Sequence, residues 1–168
     1  MPLGEWWAYV PSDKEHYKSA GAVIRYLCRA VARNGNLLLD VGPDANGEID
    51  PVATTRLKEV GAWLKLNGEA IYDTRPAKPY EQGDCVFTRK SDGTAYAIVL
   101  AKDDRGAMPE RIVIPAELTA KASKIRLLGF AGELSAGETQ NGQTTMVFPA
   151  AARANSPCAH AWTIKITR

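Results

Sequence analysis

Hydrophobic positions along the chain change period twice, and each change marks a structural unit. After Tyr17, apolar residues fall at Ala20, Val23, Ile24, Leu27, Cys28 and Val31. That is the i, i+3, i+4, i+7, i+8, i+11 face of an amphipathic helix. Arg25, Arg29 and Arg33 share the opposite face, and Arg33 stands at the helix end, where a cation complements the dipole. Asn34-Gly35 stops the helix, Gly35 being suited to a left-handed cap. Leu37-Leu38-Leu39-Asp40-Val41 then runs without alternation, which predicts a strand covered on both faces, as in a parallel α/β sheet or barrel. Turn residues fill positions 42–47. Asp50 before Pro51 predicts an N-cap with proline at N1, and Ile49 takes the staple position. The second helix carries Ala53, Leu57, Val60, Gly61 and Leu64 on one face and ends at Asn67-Gly68.

From Asp84 onward the 3.6-residue period gives way to short β-rich stretches. Residues 85–89 and 95–100 flank Lys90-Ser-Asp-Gly-Thr94, whose Asp92-Gly93 pair is a strong hairpin signal. Further strands are predicted at 111–114, 124–128, 144–148 and 161–167, punctuated by glycine, proline and asparagine. In the last stretch Trp162, Ile164 and Ile166 alternate cleanly onto one face. Six or more short strands at this spacing predict an antiparallel β-sandwich. The fold class expected is therefore α+β, divided near residue 77.

The two halves do not match in completeness. A strand buried on both faces needs parallel neighbours, and the helices beside it imply more βα units. Upstream, only residues 6–10 offer another strand. The first half reads as the tail of a larger α/β domain, and the second as a whole small β domain.

Composition narrows the function classes. The 168 residues are 45% hydrophobic and 24% charged, ordinary for a globular protein and unlike a disordered, collagenous or coiled-coil chain. Twenty-one basic against nineteen acidic residues leave a net charge of +2, with the basic residues scattered, so no nucleic-acid partner is expected. No apolar run approaches the roughly 20 residues that span a bilayer, and no membrane partner is expected either. The first residues lack a signal-peptide pattern. Cys28, Cys85 and Cys158 are widely separated and specify neither a disulfide framework nor a metal site. The compartment stays open.

Single residues suggest chemistry without completing it. Glu5 is a carboxylate beside Trp6 and Trp7, the setting of a general acid, though a solvated glutamate reads the same way. Asp40 stands at the C-terminal end of the apolar run, where barrel active-site residues lie, or it orders the turn that follows. Asp44, Asn46 and Glu48 loosely suggest a calcium loop, but Thr55 occupies the position that needs a bidentate glutamate. His16 and His160 accompany no triad. No metal and no cofactor is expected.

Two longer motifs carry a resemblance. Asn34-Gly-Asn-Leu-Leu-Leu-Asp-Val-Gly-Pro43 with Asn46-Gly47, followed by Gly61-Ala-Trp-Leu-Lys-Leu-Asn-Gly-Glu-Ala-Ile-Tyr-Asp-Thr-Arg-Pro76, resembles the α-L-fucosidases of glycoside hydrolase family 29. Trp7-Ala8-Tyr9 stands where that family commonly has Trp-Gly-Tyr, and residues 161–166 resemble its closing strand. Ala8 and Asp40 depart from the usual Gly and Asn. The resemblance implies that residues 1–77 are terminal helix-strand-helix elements of a catalytic (β/α)8-like barrel plus a link. Residues 78–168 would then be the C-terminal β-sandwich. It also implies a retaining exo-α-L-fucosidase acting on fucosylated glycans, with Trp7 lining the sugar subsite.

The same resemblance puts the nucleophilic aspartate on a middle barrel strand and the acid/base glutamate upstream of Trp-Gly-Tyr. Neither position matches a residue here, so no catalytic residue is assigned and Glu5 remains only a candidate. The chain by itself is expected to be inactive. Its expected partner is the rest of the barrel, or a second copy through the exposed barrel edge. Two readings of other classes stay open: a carbohydrate-binding β-sandwich module, and a structural or assembly subunit of a split glycosidase.

Overall fold

The computed structural model describes residues 1–168, the side chain of Glu15 excepted. Helix α1 spans Ala20–Ala32 and α2 spans Pro51–Asn67, close to where periodicity and caps placed them. Ser19 Oγ accepts from the Ala22 N–H at 3.0 Å, and Asp50 Oδ1 accepts from the Val52 N–H at 2.7 Å. Each cap satisfies one of the donors that a helix start leaves free. Asn34 ends α1 in the left-handed region, at φ 64°.

The buried face of α2 differs from the one expected. Ala53, Val60, Trp63 and Asn67 are buried, while Leu57 is exposed. The helix turns the large indole of Trp63 inward, where its Nε1–H donates to the buried Ala161 carbonyl at 2.8 Å. An indole buries far more apolar surface than one leucine and needs a partner for its N–H, so Trp63 sets the rotation of the helix.

Eight strands follow. They are β1 (Arg75–Gln82), β2 (Cys85–Arg89), β3 (Ala95–Leu100), β4 (Arg111–Pro115), β5 (Lys124–Leu127), β6 (Ala136–Gln140), β7 (Gln143–Val147) and β8 (Ala161–Thr167). Short helices α3 (Ala116–Thr119) and α4 (Ala150–Ala154) lie between them. One antiparallel sheet has the order β1-β2-β3-β8-β5 and the other the order β4-β7-β6. Two strands escaped sequence reading. β1 contains Pro76 and Pro79, which mark an edge rather than an interior, and every residue of β6 is exposed, leaving no hydrophobic alternation.

The larger sheet is buried on both faces. Phe87, Ala97, Val99, Trp162, Ile164 and Ile166 face the smaller sheet, with Ile114, Met146 and Phe148 opposite them. Val86, Tyr96, Ile98 and Leu100 point the other way and pack with Val23, Ile24, Cys28 and Trp63 of the two helices. The layers run helices, five-stranded sheet, three-stranded sheet. Buried on both sides, β3 reads Ala-Tyr-Ala-Ile-Val-Leu with no polar position.

The apolar run at 37–41 forms no ladder. It is extended and makes one parallel bridge, Asp40 to Pro2. Leu37, Leu39 and Val41 pack against the helical core, but Leu38 is 73% exposed. The expected cover on its second face does not come from these residues, because no further strand of the chain lies beside it.

Ion pairs tie the helices to the sheet. Glu81 of β1 accepts from Arg29 Nε at 3.1 Å and Arg33 Nη2 at 2.5 Å. Glu69 accepts from Lys165 Nζ at 2.6 Å and from the Tyr96 hydroxyl at 3.0 Å. Asp104, in the loop after β3, meets Arg25 at 3.1 Å beside Gly21, where a Cβ would lie 2.5 Å from Asp104 Oδ1. Cys28 and Cys85 are buried thiols; burial pushes Cys28 far up and Cys85 up to about 12, so neither is a nucleophile at neutral pH.

Two outcomes test this packing. Replacing Trp63 by alanine is expected to cost about 3–5 kcal/mol, and by phenylalanine about 1–2 kcal/mol, in urea unfolding followed by far-ultraviolet circular dichroism. The hydrogen bond from Ser19 and the Arg25 guanidinium hold the Asp104 carboxyl below the usual range. A depressed carboxylate stabilises fully above its unfolded value of about 3.9 and ceases to do so as pH falls through its folded value. Protection of the amides in the loop after β3, each referred to its intrinsic exchange rate at the same pH, should therefore fall selectively in acid, and D104N should abolish that change in protection.

Candidate functional site

The candidate site is the N-terminal loop that carries the aromatic cluster, together with the segment after the apolar run. Asp13 opens a 3-10 helix at Asp13–His16, and its buried carboxylate closes the loop from below. Oδ1 and Oδ2 accept from the Glu5 N–H at 3.1 and 3.0 Å, and Oδ2 also accepts from the Trp6 N–H at 3.4 Å. Lys18 Nζ does the reverse for the carbonyls, donating to Gly4 at 2.7 Å and Pro2 at 3.0 Å. One anion thus gathers amide donors and one cation gathers acceptors, which fixes a segment that has no ladder of its own.

Two glycines permit the close approaches this arrangement needs. A Cβ on Gly4 would lie 1.9 Å from Asp13 Oδ2, and one on Gly42 would lie 2.5 Å from the Tyr9 backbone nitrogen. Asp44 orders the 42–47 turn, its Oδ1 accepting from Asn46 N at 2.8 Å and Glu48 N at 2.9 Å. That is the role sequence reading offered to Asp40. Asp40 instead joins the N-terminal segment through its backbone, its carbonyl accepting from Leu3 N at 2.9 Å. Its Oδ2 is buried and makes no hydrogen bond among the described residues. Asp13, Tyr17 and Asp40 line one small cavity, and the Tyr17 hydroxyl is pushed up by burial first, then by Asp50, Tyr9 and Asp13.

Trp6 and Trp7 ride on this pinned loop with 61% and 59% of their surface open. Trp7 is thus available for contact, on a backbone that Asp13 and Lys18 hold in place. Glu5 is exposed, and its carboxylate lies within 4.8 Å of Asp13 and of His16. His16, met in sequence as an isolated histidine, is therefore one member of a Glu-Asp-His group, the one set of metal-like spacing among the described residues. Asp13 is buried, and both of its oxygens accept from loop amides, whereas Glu5 is exposed. What the arrangement presents chemically is an aromatic surface. Asp13 and Lys18 escaped sequence reading because they act on backbone groups, which leave no side-chain pattern.

Most aromatic side chains of the β half are core. Phe87, Tyr96, Phe148 and Trp162 are fully buried, so the sandwich offers no face of these rings to a sugar. Phe130 is half-buried against the core, and Tyr80 is exposed.

Comparison with known proteins gives one answer. Residues 1–69 match the family described as alpha-L-fucosidase, and residues 78–167 match the alpha-L-fucosidase C-terminal domain. The tissue alpha-L-fucosidase of Bos taurus is 34% identical over 146 residues, 86% of this chain and 30% of that protein. Alpha-L-fucosidase isoenzyme 1 from Paenibacillus thiaminolyticus superimposes with a TM-score of 0.81 at 28% identity, over 99% of this chain and 38% of its own. The Thermotoga maritima alpha-fucosidase in complex with fucose gives 0.80 at 25% identity, over 99% and 39%. The chain spans about a third of the length of the curated relatives it matches.

Loss of the anion under the loop should be costly. D13A strands the Glu5 and Trp6 amides and leaves Lys18 among carbonyls, and about 1–3 kcal/mol of stability should go with it in urea unfolding. Exchange of the Glu5 and Trp6 amides should accelerate, while amides of β3 and β8 keep their rank as the slowest.

Proposed function

The chain belongs to the α-L-fucosidase family, and from that premise we propose that it forms the C-terminal part of a retaining exo-α-L-fucosidase. The whole enzyme would remove terminal α-L-fucose from glycans. Residues 1–77 would supply the last helix-strand-helix elements of the (β/α)8-like barrel and the link, and residues 78–168 the accessory β-sandwich. One observation carries this reading: the apolar run at 37–41 lies extended between α1 and α2 with a single parallel bridge and with Leu38 uncovered. A strand flanked by crossover helices and lacking a neighbour is what a barrel strand looks like without the rest of its barrel.

The chemistry follows from what the segment holds and what it does not. Double displacement at the anomeric carbon of fucose needs two carboxyl groups about 5–5.5 Å apart on either side of the glycosidic bond. Neither position of the family's pair matches a residue of this chain, and Glu5 is not assigned to the reaction. The segment's contribution is the closing strand, a sandwich that braces the barrel, and Trp7. The exposed indole of Trp7, held by the Asp13–Lys18 clamp, would contact the apolar face and methyl group of fucose. The partners implied are a fucosylated glycan and the remaining barrel portion, which would cover Leu38.

These 168 residues alone should release no aryl aglycone from an aryl α-L-fucoside above a buffer blank; measurable turnover would sink the proposal. Joined to the remaining barrel of a family member the hybrid should hydrolyse it, and W7A in that hybrid should lower kcat/KM about tenfold, a loss of about 1.4 kcal/mol.

A further inference from the structure

The reading above gives Trp7 contact with the substrate, and the chain fixes its backbone from both sides. On the N-terminal side, Asp13 accepts from the Glu5 and Trp6 amides, and Lys18 Nζ donates to the Pro2 and Gly4 carbonyls. The Lys18 N–H also donates to the Leu3 carbonyl at 2.9 Å. On the C-terminal side, the Asp13 N–H donates to the Val10 carbonyl at 2.9 Å.

Gly42 meets the stretch that lies between. A Cβ there would stand 2.5 Å from the Tyr9 nitrogen and 3.0 Å from both the Ala8 carbonyl carbon and Tyr9 Cα. All three are backbone atoms, so none can swing aside as the tip of a side chain would. Gly42 is not among the left-handed glycines, unlike Gly47 of the same turn, whose φ is 81° and whose Cβ would meet nothing within 4 Å. Position 47 needs glycine for its own backbone, whereas position 42 needs it for the contact with the tryptophan loop.

The apolar run decides where Gly42 sits. Leu37, Leu39 and Val41 pack against the helical core. The Asp40 N–H donates to the Met1 carbonyl at 3.0 Å, and the Asp40 carbonyl accepts from Leu3 N at 2.9 Å. The helical core thus places the run, the run places Gly42, and Gly42 places Ala8 and Tyr9. The cavity enclosed by these segments is only about 10 Å³, room for one water at most, so the loop cannot settle inward.

We infer that Gly42 is a positioning residue for Trp7: its contact with Ala8 and Tyr9, acting with the Asp13–Lys18 clamp, sets the place of the indole that meets fucose. The inference rests on the subsite role proposed for Trp7. Every contact that carries it lies within this chain, whatever covers the loop from outside. Small displacements of a group that holds substrate are expensive in rate, which gives a close backbone contact beside Trp7 its leverage.

A double-mutant cycle in the hybrid with the remaining barrel of a family member, assayed on an aryl α-L-fucoside, tests it. G42A should lower kcat/KM about tenfold, as W7A does, through a raised KM with kcat within about twofold. A wall that touches the sugar throughout binds ground state and transition state alike, hence that split. In the W7A background, G42A should cost no more than about a further twofold, because the group it acts through is gone. K18M, which removes the cation without adding bulk, should show the same coupling with a loss of about threefold alone, and it serves if G42A fails to fold. The full G42A loss recurring on top of W7A would overturn the inference, and so would unchanged kcat/KM in G42A beside a normal W7A loss. W7A without effect would remove the subsite reading and the inference with it, so the two failures are distinct. In the 168-residue chain alone, the Trp7 indole N–H resonance, assigned by W7F, should move in G42A and K18M while the amides of β3 and β8 keep their shifts. A stationary Trp7 resonance would overturn the inference whatever the hybrid does.

Discussion

A sheet buried on both faces cannot stand without cover on each, and in this chain that constraint fixes the order of everything else. The smaller sheet covers one face of the β1-β2-β3-β8-β5 sheet, and α1 and α2 cover the other. Removing either layer would expose a continuous apolar surface across β2, β3 and β8, which monomeric proteins seldom tolerate. The Trp63 indole hydrogen bond to the Ala161 carbonyl sits at this junction and orients α2 against β8. The helices and the sandwich are therefore one packed body, although they differ so sharply in sequence pattern.

Charge is used around this junction for position rather than for bulk stability. Glu69 collects Lys165 and Tyr96 at one edge, Glu81 collects Arg29 and Arg33 at another, and Asp104 holds Arg25 at a third. Each carboxylate lies on a different segment from its cations, so each pair closes a long loop of chain. Half-exposed pairs of this sort contribute little individually, but three of them around one interface specify a single docking angle.

The legible parts of the fold were those whose pattern is read by burial. α1, the capped start of α2 and most strands lie within a residue or two of the positions that periodicity gave, because their side chains alternate between core and solvent. β1 and β6 were illegible for opposite reasons: one hides its edge character behind prolines and a bulge, the other buries nothing. The candidate site was legible only through its tryptophans. The clamp beneath them, Asp13 and Lys18, works on amide and carbonyl groups that every residue carries, and no spacing rule announces it.

The run at 37–41 shows how far burial patterns can be pushed. Its composition asks for cover on two faces, and the helical core supplies one. Had Leu38 been buried by some rearrangement of α1 or α2, the sequence would simply have misjudged the number of neighbours. Instead Leu38 stays open while Leu37, Leu39 and Val41 keep their inward positions, the alternation of an extended segment packed on one side. A loop could relax to hide an exposed leucine. Here the Pro2–Asp40 bridge on one side and the two flanking helices forbid that relaxation, so the open face is a property of the architecture. The chain spans about a third of the length of its curated relatives, and under the proposed reading the remaining barrel would close this face.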